Sequence, residues 1–263
     1  IITSKAQTTR HRIMGIVSGE DFQIVYSDTP GILKPSYKLQ ESMMKFVTGA
    51  LTDADVILYV TDTVEQSERS AEIVDSIRRS GIPTVVVINK IDLSTPEALE
   101  ALVDKWQAEI PGAQVVPTSA KENFNIEGLF RTILSLLPEG PAFYPKDTLT
   151  DKTLRFFASE IIREKILRNY DKEIPYSCEI EIEEYREEPG IDRISAVIYV
   201  ARNSQKGILI GHKGEKLKKV GRQAREELEE FLRKKVFLQL FVKVSEDWRN
   251  DQRQLRRFGY DPQ

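Results

Sequence analysis

The sequence predicts a helix-covered, mainly parallel α/β sheet in its first half, joined to a smaller α+β domain in its second. Three observations predict this. Val56–Val60 and Thr84–Ile88 are unbroken runs rich in valine and isoleucine, the pattern of strands buried on both faces. The segments between and after them place apolar residues at helical spacing, giving a βαβα alternation. Past a cluster of helix breakers (Pro138, Gly140, Pro141 and Pro145) the order changes to α-β-β-α-α-β, so a domain boundary falls there. At about 150 residues per domain, a chain of 263 residues also suggests roughly two domains.

Arg12–Val17 and Phe22–Ser27 read as two strands around the turn Ser18-Gly19-Glu20-Asp21. A helix over 67–79 places Ala71, Val74 and Ile77 on one face. Pro96–Glu109 is a helix with proline in its first turn. Gln114–Val116 is a short strand and Ile126–Leu136 a helix. The first domain is set at 1–140, a linker at 141–150 and the second domain at 151–263. Asp151–Asn169 opens the second domain as a helix. Cys178–Glu184 alternates Ile180 and Ile182 with Glu179, Glu181 and Glu183, a half-buried strand. Ser195–Ala201 is a strand, Gly207–Lys213 a short helix, Glu215–Lys234 a long amphipathic helix and Val236–Val244 the last strand.

Composition narrows the function classes. A single cysteine, Cys178, excludes an internal disulfide framework and fits a reducing, cytoplasmic compartment. One cysteine and two histidines argue against a structural zinc site. No apolar run approaches the roughly 20 residues that span a bilayer, and no secretory signal is read in the first twelve residues. The net charge of −3 hides a polarity: residues 203–263 carry 15 Lys+Arg against 9 Asp+Glu, while 1–146 carry 14 against 19. The basic end is either a polyanion-facing surface or a solvated helix face.

Three loops that end strands carry chemistry. Asn89-Lys90-Ile91-Asp92 follows Thr84–Ile88. A carboxylate there can accept two N–H groups of a guanine edge at once, which adenine cannot supply. The asparagine amide can hold the base and brace neighbouring loops, and the lysine stem can pack over the ring. Asp28-Thr29-Pro30-Gly31 follows Phe22–Ser27. Its carboxylate can organise a magnesium ion through water, and Gly31 N–H can approach a terminal phosphate. Thr118-Ser119-Ala120-Lys121 follows Gln114–Val116 and can offer backbone N–H groups to the guanine carbonyl. Each segment alone reads equally as a turn or a helix cap. Their succession, with Asn89 61 residues after Asp28 and Ser119 30 residues after Asn89, makes the conjunction specific.

In this conjunction the sequence resembles the translation-factor-like GTPases, and Gln7-Thr8-Thr9-Arg10-His11-Arg12 matches the first switch of the Era family. The segment from Phe156 to Lys165 and Ile174-Pro175-Tyr176-Ser177 look like the C-terminal domain of that family. The resemblance covers essentially the whole chain. It implies a P-loop-NTPase-like (Ras-like) domain followed by a type II KH domain. It assigns Asp28, Thr29, Pro30, Gly31, Ile32, Asn89, Lys90, Ile91, Asp92, Ser119, Ala120 and Lys121 to GTP or GDP, and Thr9, in preference to Thr8, with Asp28 to Mg2+. Ile210-Gly211-His212-Lys213-Gly214 fits the GxxG loop of KH domains, which clamps about four nucleotides of single strand. Ile208, Leu209, Ile210 and Leu217 would wall a groove for bases, with Lys216, Lys218, Lys219, Arg222 and Arg225 facing phosphates.

The implied role is a monomeric GTPase that binds the 3′ end of small-subunit ribosomal RNA and acts in assembly of that subunit. Ile32 stands where Ras-like enzymes carry a water-orienting glutamine, so no catalytic base is assigned and hydrolysis is expected to be slow. One departure is large: no G-x-x-x-x-G-K-[ST] occurs in the sequence. The family carries that phosphate loop before the first switch, and without it the expectation is weakened nucleotide binding, a sheet lacking its first strand, and a protein longer than 263 residues. Two rival readings are a G-domain scaffold without catalysis and a peripheral membrane interaction protein whose basic cluster meets acidic lipids. His11 and His212 lie far apart and are not expected to be catalytic. Trp106 reads as packing, Cys178 as a small strand residue, and the arginines around Trp248 as either RNA-facing or solvated.

Overall fold

The computed structural model describes residues 1, 3, 5–64 and 71–260. β4 (Thr84–Asn89) is buried along Thr84–Ile88, which requires a strand on either side and cover on both faces. β3 (Ile57–Asp62) and β5 (Gln114–Pro117) pair with it in parallel, in the order β3-β4-β5. α2 (Ala71–Ser80) and α3 (Pro96–Glu109) are the crossovers. Val74, Ile77, Trp106 and Ile110 close over Tyr59, Val86 and Ile88. The helix expected over 67–79 is seen from Ala71; residues 67–70 lie outside the described residues. Thr95 starts α3 by accepting the Ala98 N–H at 3.3 Å, with Pro96 in the first turn. α4 (Ile126–Leu136) follows β5.

β1 (Ile13–Ser18) and β2 (Gln23–Asp28) form an antiparallel hairpin that pairs Ile13 with Asp28. Among the described residues no pairing joins β2 to β3, so the strands form a two-stranded and a three-stranded sheet. Val60 on β3 is 62% exposed, although it sits within a parallel sheet. α1 (Lys38–Thr52) was not in the sequence reading, yet Leu39, Met43 and Val47 repeat every four residues and form its buried face.

The second domain runs α5 (Leu154–Asn169), α6 (Ile174–Ser177), β6 (Glu179–Glu188), β7 (Ile191–Val200), α7 (Asn203–Ile210), α8 (Glu215–Leu232), β8 (Lys235–Val244) and α9 (Gln252–Arg257). β6 and β7 are antiparallel, β7 and β8 parallel. Ile162, Ile166, Ile180, Ile198, Leu209, Val220 and Ala224 form the core between α5, α7 and α8 and one face of the sheet. β6 and β7 run several residues further than expected. A register shift between Ile182 and Glu184 ends the simple alternation and turns Tyr185 inward. The extension is a charged ladder, with Arg186 opposite Arg193 and Glu188 opposite Ile191, which carries no apolar period.

The 141–150 segment is pinned, not free. Gln23 Oε1 accepts the N–H groups of Phe143 and Tyr144 at 2.8 and 2.9 Å, and Gln23 Nε2 donates to Tyr144 O at 2.8 Å. Ile16 N–H donates to Leu149 O at 2.8 Å. The two domains themselves meet through an apolar contact. Leu39 and Met43 of α1 are buried with Trp248, Leu255 and Tyr260. The orphan donors at the start of α1 find partners there too: Leu39 N–H donates to Arg249 O at 2.9 Å and Lys38 N–H to Asn250 Oδ1 at 3.2 Å.

Candidate functional site

The carboxyl ends of β4 and β5 are laced together by the side chains that the motifs supply. Thr118 N–H donates to Ile88 O at 2.8 Å and Ile91 N–H to Thr118 O at 3.3 Å, bringing the two loops side by side. Asn89 Oδ1 accepts the N–H of Ala120 at 3.0 Å and of Lys90 at 2.8 Å. Ser119 Oγ donates to Asp92 Oδ1 at 2.6 Å and accepts the Glu122 N–H at 3.2 Å. Ser119 is buried and Asp92 exposed, so the hydroxyl fixes one carboxylate oxygen from below and leaves the carboxylate open to solvent. Lys121 is exposed and ion-paired with Glu122. The sequence reading missed Asp62. It ends β3 beside Asn89 in the strand register and holds Lys90 Nζ at 2.7 Å, while Lys90 takes a left-handed backbone (φ 60). The available signal was a carboxylate closing an apolar strand, as Asp28 does.

On the hairpin, Thr9 Oγ1 donates to Asp28 Oδ2 at 3.3 Å, whereas Thr8 Oγ1 turns back to Lys5 O at 2.8 Å. Burial raises the Asp28 carboxyl above its ordinary range, against the lowering by hydrogen bonds from Thr9 and the Thr29 backbone. A hydroxyl and a carboxylate short of compensating charge are hard oxygen donors that suit Mg2+, which keeps waters and substrate phosphates as its other ligands. Thr29 is half-buried, Pro30 buried and Gly31 exposed. Ile32 and Ile91 pack against the same buried cluster, so the Asp28 loop and the Asn89 loop border one core.

The residues on either side of Thr9 dock on the second domain. Arg10 is buried, with Nη1 donating to Cys178 O at 2.8 Å and Glu179 Oε2 at 3.2 Å, and Nη2 to Pro175 O at 3.1 Å. Burial opposes its charge, but Tyr260 and Glu179 outweigh it and hold the guanidinium firmly protonated. Arg163 of α5 donates to Gln7 O at 3.2 Å and also to Thr8 O, and is itself braced by Glu160 through two bonds of 2.7 Å. Burial alone would raise the Glu160 carboxyl; Arg163 more than reverses this. No sequence signal marked Arg10 or Arg163, because a buried arginine looks like a surface one until its partners are known.

His11 stacks on Tyr260 with ring centroids 4.3 Å apart and meets Phe156 edge-on. Burial pushes its pKa down to about 4 from 6.5. The folded state therefore binds fewer protons than the unfolded one between these values, and stability falls as pH drops from 6.5 toward 4. The loss has a ceiling of roughly 1.4 kcal/mol per pH unit. Substituting His11→Phe is expected to flatten this part of the stability–pH curve, measured by urea unfolding. A slope unchanged by the substitution would assign the acid sensitivity elsewhere.

The Ile210–Gly214 loop turns between α7 and α8 on backbone that only glycine adopts freely: Gly211 has φ 72 and ψ −179. A Cβ there would also come within 2.7 Å of Lys216 Cγ. His212, Lys213, Lys216, Lys218, Lys219 and Arg222 are exposed and Gly214 half-buried. Val220, Ala224 and Leu228 on the opposite face of α8 enter the core. Two expectations are corrected. Leu209 is fully buried, because it faces the sheet, so the groove wall is left to Ile208, Ile210 and Leu217. Arg225 is held by Glu229 at 3.1 Å and is not part of the free basic face. Trp248 is also buried, donating Nε1–H to Ser177 O at 3.0 Å, which removes it from any RNA-facing surface. Trp106 packs in the first core beside Tyr59. Cys178 lies just before β6, its thiol pushed up to about 12 by burial. Among the described residues no three His, Cys, Asp or Glu side chains cluster as a metal site, and no helix is long and apolar enough to cross a membrane.

A braced pair of strand-end loops with an exposed carboxylate, a hydroxyl–carboxylate pair at another strand end and a GxxG turn in an α-β-β-α-α-β fold together define a GTPase domain joined to a KH domain. Family models agree: residues 1–90 match a 50S ribosome-binding GTPase and residues 173–249 a KH domain. GTPase Era of Staphylococcus haemolyticus (strain JCSC1435) is 41% identical over 262 residues, which cover 99% of this chain and 88% of that protein. The chain belongs to the Era family of GTPases. Two solved structures superpose with a TM-score of 0.95 at 39% identity, covering 100% of this chain and 90% of theirs. One is a point variant of Aquifex aeolicus Era bound to GDP·AlF4−; the other is Era in complex with MgGDPNP and nucleotides 1506–1542 of 16S ribosomal RNA.

Proposed function

We propose that this protein binds and hydrolyses GTP, binds the 3′ end of small-subunit ribosomal RNA through its KH domain, and acts in assembly of the small ribosomal subunit. The observation that carries the reading is the brace Asp92–Ser119 with Asn89–Ala120, which holds an exposed carboxylate where a guanine N1–H and 2-amino group can be accepted together. A relative crystallised with MgGDPNP and 16S rRNA supports both halves of the reading. Thr9 Oγ and Asp28 are the groups that would hold Mg2+, the latter through water. When bound, the metal supplies charge neutralisation at the β- and γ-phosphates. Asp62 steers Lys90 beside the base. Gly31, lacking Cβ, lets its N–H approach the terminal phosphate. Ile32 has no group to orient water, which supports slow hydrolysis.

The GTP-bound state is proposed to order Thr9 and the 28–32 segment and to favour RNA binding by the KH domain. The same proposal takes the protein to be a monomer of the cytoplasm, with peripheral attachment to the membrane through the same basic face as a secondary association. Titration with fluorescent GDP, in competition with ADP, tests the nucleotide half: GDP displaces the probe and ADP does not. Failure of GDP to bind would leave the G domain a scaffold. For the RNA half, Lys218→Ala and Lys219→Ala are each expected to weaken RNA binding and to reduce the salt slope by about one. A slope unchanged in both variants would show that phosphates are met elsewhere.

A further inference from the structure

The segment around Thr9 is linked to the RNA loop by a buried residue, Tyr170, through its carbonyl on one side and its hydroxyl on the other. Tyr170 follows α5 and is 4% exposed. Its carbonyl accepts Lys5 Nζ at 2.5 Å, and Lys5 also pairs with Asp171 at 2.8 Å. Its hydroxyl donates to Leu209 O at 2.6 Å, one residue before Ile210, where the end of α7 runs short of intrahelical donors. Its ring lies 5.9 Å from Lys216 Nζ, on the far side of the same loop. Burial pushes the phenol up to about 12, so it remains a donor at neutral pH. Lys5 O in turn holds Thr8 Oγ1 at 2.8 Å, immediately before Thr9. Arg163, on the same helix that leads into Tyr170, fixes the carbonyls of Gln7 and Thr8. The 141–150 segment, by contrast, is tied through Gln23 to the β1–β2 hairpin.

We propose that Tyr170 is a positioning residue that couples the first switch to the GxxG loop, so that RNA seated at Ile210–Gly214 and order at Thr9 influence each other through the KH core and not through 141–150. The inference rests on the reading that this loop binds RNA and that Thr9 and Asp28 serve the nucleotide. RNA drawing Lys216 toward phosphate changes the cover over the Tyr170 ring. A shift of the Leu209 carbonyl moves the hydroxyl, and the main chain of Tyr170 carries this to Lys5 and the switch.

The experiment measures the affinity of the full-length protein for an RNA of the small-subunit 3′ end, with Mg2+ and either GDP or a non-hydrolysable GTP analogue. The ratio of the two affinities is the coupling, expected to be about fivefold or more in the wild type, the lower end of common allosteric couplings. Tyr170→Phe keeps the ring and loses only the hydroxyl. It is expected to retain the GDP-state RNA affinity within twofold while the coupling falls at least threefold. Lys5→Ala, on a partly exposed side chain, is the second variant and is expected to lower the coupling without loss of fold, non-additively with Tyr170→Phe. Gln23→Ala, which removes the three side-chain bonds that tie Phe143 and Tyr144 to the hairpin, is expected to leave the coupling unchanged. Wild-type coupling retained in both Tyr170→Phe and Lys5→Ala overturns the proposal, as does a loss in Gln23→Ala equal to that in Tyr170→Phe. A wild type with equal RNA affinity in both nucleotide states overturns the underlying reading as well, and so separates the two failures.

Discussion

Replacing Arg10 with alanine is expected to destabilise the protein by about 3–5 kcal/mol, the cost of breaking a buried ion pair from one side. The guanidinium is the only cation bonded to Glu179 among the described residues, and it also satisfies the carbonyls of Pro175 and Cys178. Its removal leaves a carboxylate at 6% exposure with Tyr260 Oη–H as its remaining donor, at 2.7 Å. Burial already raises the Glu179 carboxyl, and Arg10 opposes that rise. In the variant the group therefore takes up a proton at higher pH. Because Arg10 belongs to the first domain and its partners to the second, part of the loss should appear as separation of the domains. Urea unfolding followed by Trp248, buried at that interface, reads it directly. Arg10→Met, which fills similar space without charge, distinguishes lost packing from lost pairing. A loss below about 1 kcal/mol in Arg10→Ala, the range of exposed ion pairs, would mean that this contact does not hold the domains.

Replacing Asp92 with alanine is expected to weaken guanine nucleotide binding by about 10²- to 10⁴-fold, since two hydrogen bonds to a charged acceptor are lost at once, each worth about 1.5–3 kcal/mol. Asp92 is exposed, and among the described residues its side chain bonds within the protein to Ser119 Oγ alone, so the thermal midpoint should scarcely change. Fluorescent GDP titration checks the affinity and circular dichroism the fold. A variant that binds GDP as the wild type does would move base recognition away from this loop.

Much of this site was legible because each of its loops ends a strand whose apolar pattern is strong. Thr84–Ile88 announces a central strand, and Asn89–Asp92 is then placed at its carboxyl end without further information. The helix limits Pro96–Glu109 and Ile126–Leu136 were legible directly, the first from the proline in its first turn; its Thr95 cap was not read. What could not be read depends on partners distant in sequence. Arg10 meets residues about 170 positions away, and no local period distinguishes it from Arg12, which pairs with Asp53 at the surface. α9 is a short polar helix whose single buried residue, Leu255, makes no repeat. The lower half of the β6–β7 hairpin is concealed by charged residues without an apolar period, among which Arg193 pairs with Glu188 across the strands. The 141–150 segment is rich in turn residues and looks like a free tether. Its fastenings, Gln23 at Phe143 and Tyr144 and the Ile16 N–H at Leu149, lie more than 100 positions away and leave no local signal.

The central claim is that the Asn89 and Ser119 loops grip a guanine while Thr9 and Asp28 serve the metal on its phosphates. The most direct measurement is a crystal structure of the full-length protein with Mg2+ and a non-hydrolysable GTP analogue. The account predicts both Asp92 carboxylate oxygens within hydrogen-bond distance of the purine N1 and 2-amino nitrogens, and Thr9 Oγ bound to the metal with Asp28 one water away. A nucleotide seated with Asp92 in solvent, or a metal remote from Thr9 and Asp28, would contradict it.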